Sequence, residues 1–159
     1  MEDRQVRIGG FWPRVAAGAV DAVILAIPVG LVAGGGIARG QVPTPGVLVL
    51  AAALAMFYRV LFEGSPLQAT PGKLLLGLRV ANLSGGRISF ATAALRSWPW
   101  WLTGAIAGMA PAAIPVAVVL SLASVLSVAL GADRRGLHDR MSGTRVLRHD
   151  GAAARPVDD

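Results

Sequence analysis

Three long apolar stretches, Val15 to Ile37, Gly46 to Phe62 and Trp98 to Gly131, are nearly free of charged residues. Such runs approach or exceed the ~20 residues that cross ~30 Å of hydrocarbon as a helix. Of 159 residues, 54% are apolar and 15% charged, and the mean hydropathy is +0.60. A soluble domain this short has a large surface for its volume and needs more polar residues to cover it. The chain therefore reads as one domain in a lipid bilayer. A cleaved signal peptide ahead of a soluble domain fits poorly. The first stretch exceeds the ~7–15 residues of a signal core, and two more follow it. With no cysteine, neither a disulfide framework nor a thiolate metal site can form. The Ala, Gly, Val and Arg bias with almost no Lys is associated with GC-rich bacterial genomes, which places the chain in a bacterial inner membrane.

Local punctuation divides the apolar stretches into spans. Phe11 and Trp12 suit the membrane interface, and Pro13 fits a first helical position. The first span is expected over 13–37, closing in Gly34-Gly35-Gly36. Arg39 to Pro45 is a loop, and the second span covers 46–63. Trp98 to Gly131 is 34 residues, ~51 Å as one helix, too long for an ordinary span. Met109 to Pro115 breaks it. With Ser89 as N-cap, spans over 90–109 and 112–131 are 20 residues each. The fold class expected is thus an all-α four-helix transmembrane bundle. Its alternative is three spans with 90–109 lying on the membrane surface. Between spans two and three, Leu74 to Ala81 reads as a strand, Ser84-Gly85-Gly86 as a turn and Arg87 to Phe90 as its return, a small β-hairpin.

Charge sets the orientation. Arg4, Arg7 and Arg14, then Lys73, Arg79 and Arg87, then Arg134, Arg135, Arg140, Arg145, Arg148 and Arg155 make twelve basic residues, against Arg39 alone in the 39–45 loop. Positive-inside places both termini and the hairpin in the cytoplasm. Residues 1–10 form a cytoplasmic N-terminal segment, 11–148 the transmembrane domain and 149–159 a disordered cytoplasmic tail. The net charge of +6 forms no continuous stripe, so nucleic acid is not an expected partner; the bilayer is.

Ionisable groups inside a bilayer are costly and mark function or specific pairing. Asp21 lies ~13 Å along the first helix from Trp12, and Arg96 ~10 Å along the third from Ser89. Their similar depth allows an Asp21–Arg96 ion pair. Arg14 and Asp21, seven residues apart, share a helix face, with Gly18 between them to admit another helix. Arg59 and Glu63 can pair at i, i+4 or snorkel into water. Asp139, just past the fourth span, reaches Arg14 if the tail folds back.

Gly10-Phe11-Trp12-Pro13-Arg14 with Asp21, then Thr70-Pro71-Gly72-Lys73 to Val80, then Arg135-Gly136-Leu137-His138-Asp139 to Thr144 occur in order over 11–148. In this the chain resembles the RDD family of small bacterial membrane proteins. The family takes its name from one arginine and two aspartates, which fall here on Arg14, Asp21 and Asp139. The sequence departs from the pattern in Pro13 before the arginine and in Ala69, where glycine is commoner. The resemblance implies transport of unassigned ligands, with cation/proton antiport proposed for some members.

Other motifs fall away. Gly72-Lys73 lacks the first glycine and the Ser/Thr of a phosphate loop. His138-Asp139 has no serine in a Gly-x-Ser-x-Gly context, and His138 with His149 makes no metal site. An enzyme, a cofactor and a metal are not expected. Gly30/Gly34 and Gly104/Gly108 are small-residue helix contacts, within the chain or in a homo-oligomer. Ser121, Ser124 and Ser127 recur every third residue, as a polar stripe towards the outer half or back-bonded to the helix. The leading expectation is a transporter or antiporter component, with Asp21 binding a small cation or proton among Arg14, Arg96 and Asp139. Arg59, Glu63, Lys73 and His138 are secondary. The rival is a non-transporting scaffold that docks a partner through the hairpin and basic tail.

Overall fold

A computed structural model describes residues 6–37, 39–41 and 44–149. The disordered tail expected over 149–159 lies, but for the backbone of His149, outside the described residues. Strand β1 (Val6–Ile8) leads into helices α1 (Phe11–Ile37) and α2 (Pro45–Gly64). A short helix α3 (Pro71–Leu75) precedes strand β2 (Leu78–Asn82). Helices α4 (Phe90–Arg96), α5 (Trp98–Met109), α6 (Ile114–Leu130) and α7 (Leu137–Met141) follow, with a 3-10 turn over Pro111–Ala113 before α6, and strand β3 (Thr144–His149) ends the fold. Mostly helical and apolar, the protein has two helices long and apolar enough to cross a membrane, Phe11–Leu31 within α1 and Pro45–Gly64.

Helix α1 starts two residues before the expected 13. Pro13 sits within the first turn, where its missing N–H has no intrahelical partner to lose. Thr44 caps α2 by accepting from the Val47 N–H, and Pro45 takes the first helical position. Ser89 caps α4 as expected, accepting from Thr92. The stretch expected as a third span, however, is two helices. Pro99 has no N–H to donate to the preceding turn, so a continuous helix through it would lose a backbone hydrogen bond. Helix α4 therefore ends at Arg96, and α5 restarts at Trp98.

The broken pair still tracks α2 along its length, antiparallel. Phe90 packs at Gly64, Arg96 pairs with Glu63, Arg59 stacks on Trp100, Gly104 meets Ala52, and Gly108 meets Val49. The Gly104/Gly108 pair thus works within the chain: a Cβ at Gly104 would lie 1.9 Å from that of Ala52. A Cβ at Gly30 would meet nothing within 4 Å. Helix α6 packs on α5.

The expected hairpin is replaced by a three-stranded antiparallel sheet in the order β1-β3-β2. Two local signals account for this. Thr70-Pro71 starts a helix where a strand was expected, and Gly77, at φ +65°, ends it so that β2 begins at Leu78. The segment after the turn is consumed as the approach to the α4 cap, with Ile88 buried in the core. The partner of β2 is instead the tail strand, Val80 facing Val146, while Ile8 pairs with Leu147 on the other side. Leu78, Val80 and Val146 join Ala17 and Ala93 in one buried cluster, which clamps the sheet to the helices.

Replacing Gly104 by Ala is expected to destabilise the protein by about 1–3 kcal/mol through overpacking. Gly30→Ala should be neutral or stabilising by up to ~1 kcal/mol. Thermal unfolding in detergent measures both, and equal effects would show that α5 does not approach α2 this closely.

Candidate functional site

The charged residues expected from sequence gather where α1, α2, α4 and α7 meet the sheet. Arg96, at the C-terminal end of α4, is buried (4% exposed) and bridges two carboxylates. Its Nε donates to Glu63 Oε2 at 2.9 Å. Its Nη1 donates to Asp139 Oδ1 and, at 2.8 Å, to Thr144 Oγ1. Lys73 Nζ takes the other Glu63 oxygen at 2.5 Å. Arg14 Nη1 takes the other Asp139 oxygen at 2.5 Å, as the folded-back tail allowed. Arg14 also donates to the Gly9 and Arg134 carbonyls, and the Gly136 N–H reaches Asp139 Oδ2 at 3.0 Å. These charge-assisted bonds are strong, and every oxygen of the two carboxylates has a cationic donor.

Two expected pairs are not formed. Asp21 does not meet Arg96. Its carboxylate, 1% exposed, accepts from Tyr58 Oη at 2.8 Å, Thr70 Oγ1 at 2.6 Å and the Gly72 N–H at 2.8 Å. Equal depth gave no information on which way around the helix each side chain points. Glu63 does not pair with Arg59, because Lys73 and Arg96 occupy both its oxygens, and it is 1% exposed rather than snorkelling. Arg59 lies instead over the Trp100 ring at 4.0 Å. Its Nε is buried without a hydrogen-bond partner, and no ion pair reaches it among the described residues.

Glycine has opposite uses at two positions. A Cβ on Gly72 would lie 2.2 Å from the Ala17 carbonyl and 2.9 Å from Asp21 Oδ1, so only glycine lets α3 reach α1. Gly18, expected to admit a helix, faces open space, with nothing within 4 Å of a Cβ. That space is a cavity of about 550 Å³. One face of α1 lines it from Phe11 through Arg14, Gly18, Asp21 and Leu25 to Val29, a length of ~27 Å. Helix α2 contributes Ala55, Arg59 and Glu63, α5 contributes Trp100, and α6 contributes Val125 and Val128. One end is charged and the other apolar.

The serines do not mark an outer half. Ser124 Oγ contacts His138 Nδ1 at 2.9 Å, and Ser127 Oγ accepts from the Leu137 N–H, so both join α6 to α7 at the charged end. Ser121 bonds Thr103 Oγ1 at 2.6 Å. His138 also approaches Asp139 at 3.5 Å, a serine–histidine–aspartate sequence in outline. Ser124 is fully buried, however, and Asp139 is held by two arginines. Tyr58, Thr70, Gly72, Trp100 and Thr144 are not among the site residues expected from sequence. The Thr70-Pro71-Gly72-Lys73 motif was the available signal for two of them.

Burial, then the positive charge of Arg96, lowers His138 to about 3, against the opposing pull of Asp139. Burial raises the Asp139 carboxyl, but Arg96, then His138 and Arg14, outweigh it and hold it below the usual carboxylate range. Burial lowers Lys73 to about 8 despite Glu63.

A family model described as the RDD family matches residues 8–143. The chain belongs to the RDD family. It is also similar to the uncharacterized protein YxaI of Bacillus subtilis (strain 168), 25% identical over 160 residues, covering 87% of this chain and 95% of that protein. No solved structure matches. The arginine and two aspartates of the RDD name are Arg14, Asp21 and Asp139, and here they form two separate latches. Arg14 and Asp139 tie α1 to α7, while Asp21 ties α1 to α2 and α3.

Asp139→Asn should destabilise this RDD protein by about 3–5 kcal/mol, since Arg96 and Arg14 lose their shared anion. Thermal unfolding in detergent reads the change, and a loss under ~1 kcal/mol would count against the latch. A second expectation concerns pH. Between the ordinary histidine value and about 3, the unfolded chain binds a proton at His138 that the folded chain does not. Stability therefore falls as pH drops through that window, by up to roughly 1.4 kcal/mol per unit. His138→Gln should flatten the slope between about pH 6.5 and 4, whereas an unchanged slope would assign it to other groups.

Proposed function

We propose that the protein is a transport component of the bacterial inner membrane that holds the anionic part of its solute in the cavity between α1, α2 and α6. In this reading it crosses the bilayer with α1, α2, the α4–α5 pair and α6, its charged end and both termini cytoplasmic. The twelve-to-one basic bias supports the orientation, and the run of α4–α5 along all of α2 supports a third traverse. The observation that carries the function is charge. Four cations, Arg14, Arg59, Lys73 and Arg96, line the cavity against two carboxylates, Asp21 and Glu63, with Asp139 the third anion behind them. Each carboxylate already has its donors, whereas among the described residues Arg59 has no acceptor and only the Trp100 ring face against it. A positive surplus in a membrane cavity favours an anion. A cation would have to displace existing partners from a carboxylate, so the geometry supports cation/proton antiport at Asp21 less well.

Binding and movement, rather than bond-making, fit a cavity in which His138 contacts a fully buried Ser124 and Asp139 is already held by Arg14 and Arg96. Against the scaffold reading, the described part of the C-terminal region is built into the fold: Asp139 is fully buried and β3 is the central strand.

Uptake into proteoliposomes tests the proposal, using acetate, phosphate and a long-chain carboxylate beside sodium- or potassium-driven proton flux. Uptake of an anion is expected, with loss in Gly18→Leu, whose side chain enters the cavity from a position where a Cβ meets nothing within 4 Å. Cation-driven proton flux that requires Asp21 and survives Gly18→Leu would replace this reading with antiport.

A further inference from the structure

We infer that the cavity takes a single-chain amphiphile with an anionic headgroup, a long-chain carboxylate, drawn from the cytoplasmic leaflet, with the headgroup on Arg59 beside Trp100 and the chain along α1 towards Val29. The inference rests on the cavity reading above and names its ligand. Three observations carry it. First, among the described residues Arg59 is a cation without a hydrogen-bonded anion, stacked on Trp100 at 4.0 Å with Nε buried and unsatisfied. A buried donor left unmade is costly, and an arginine fork matches a carboxylate in two bonds. The other cations of the cavity are committed, Arg14 to Asp139, Lys73 to Glu63, and Arg96 to both acids.

Second, polarity is ordered along the cavity. Its charged residues lie towards the start of α1 and the end of α2. Beyond Asp21 the walls are Leu25, Ala26, Val29, Val125 and Ala55. A free inorganic anion would use the first half and leave the second empty. An amphiphile fills both, each part at the depth it occupies in a leaflet whose headgroups face the charged end. Third, size and access agree. About 550 Å³ suits a ligand of one chain. Helix α1 packs on α3 and α2, and α6 on α5 and α7, so α1 and α6 face each other across the cavity rather than closing it. An apolar chain can enter there from lipid without passing the latches.

The test is tryptophan quenching in detergent by a long-chain carboxylate brominated near its headgroup, since Trp100 lines the cavity. Wild type should show saturable quenching. Arg59→Gln should weaken it by roughly thirtyfold or more, the effect of removing one partner from a buried charge pair. Arg59→Lys, which keeps the charge if the glutamine variant fails to fold, should weaken it far less. The uncharged methyl ester should bind as poorly as the carboxylate binds to Arg59→Gln, and excess inorganic phosphate should not displace the carboxylate. Equal binding of acid and ester, displacement by phosphate, or no saturable binding overturns the inference. Gly18→Leu separates the two levels. If it loses acid and ester alike while Arg59 proves immaterial, the cavity stands and the ligand class falls. If it binds the acid as wild type does, the cavity reading itself falls.

Discussion

The guanidinium of Arg96, buried between Glu63 and Asp139, is the contact on which the charged end of the molecule depends. Burying one charge costs several kcal/mol, recovered only when partners and remaining donors are all in place. That condition fixes much of the geometry at once. Glu63 must project from the last turn of α2, Asp139 from α7, and Thr144 from the start of β3. Lys73 and Arg14 then cover the outward oxygens of the two carboxylates. A pair of this kind nearly breaks even against an apolar substitute, so its contribution is placement more than net stability. Removing one member is a different matter, because a charge is left without its counterion in a medium that cannot solvate it.

Placement explains why the sheet can be assembled from three distant segments. Strand β3 is the central strand, yet it lies at the far end of the chain from β1. Loop closure over such separations is costly, and short strands alone would not hold. Asp139, five residues before β3, is pinned by Arg14 six residues after β1, and by Arg96. The ion pairs bring the strand ends together, and Val80 against Val146 completes the buried face.

Much of this was legible in the sequence, and the parts that were not share a cause. The apolar stretches located α1, α2 and α6 within a few residues, because burial in lipid demands length and apolarity that a window can read. The Arg14–Asp139 contact followed from one folded-back tail. The Asp21–Arg96 pair failed because depth is an axial coordinate, and partners on separate helices also need matching azimuth. The hairpin failed because strand pattern does not name its partner, while the Thr70-Pro71 cap and Gly77 redirected the chain locally. Pro99 is a helix-breaking signal, but the apolar run around it is uninterrupted and reads as one span.

The cavity follows from the division of labour among the charges. Asp21, with three donors, and Asp139, with two arginines, are too fully engaged to exchange partners without breaking the frame. The residues that name the RDD family therefore tie the helices in register, and Gly72 lets α3 dock where any side chain would collide. What the frame leaves over is Arg59, on the α2 face that looks across at Gly18's empty side, with an aromatic ring behind it and apolar walls beyond. Among the described residues, then, the buried acids all have donors, and the group left without an acceptor is the Arg59 guanidinium.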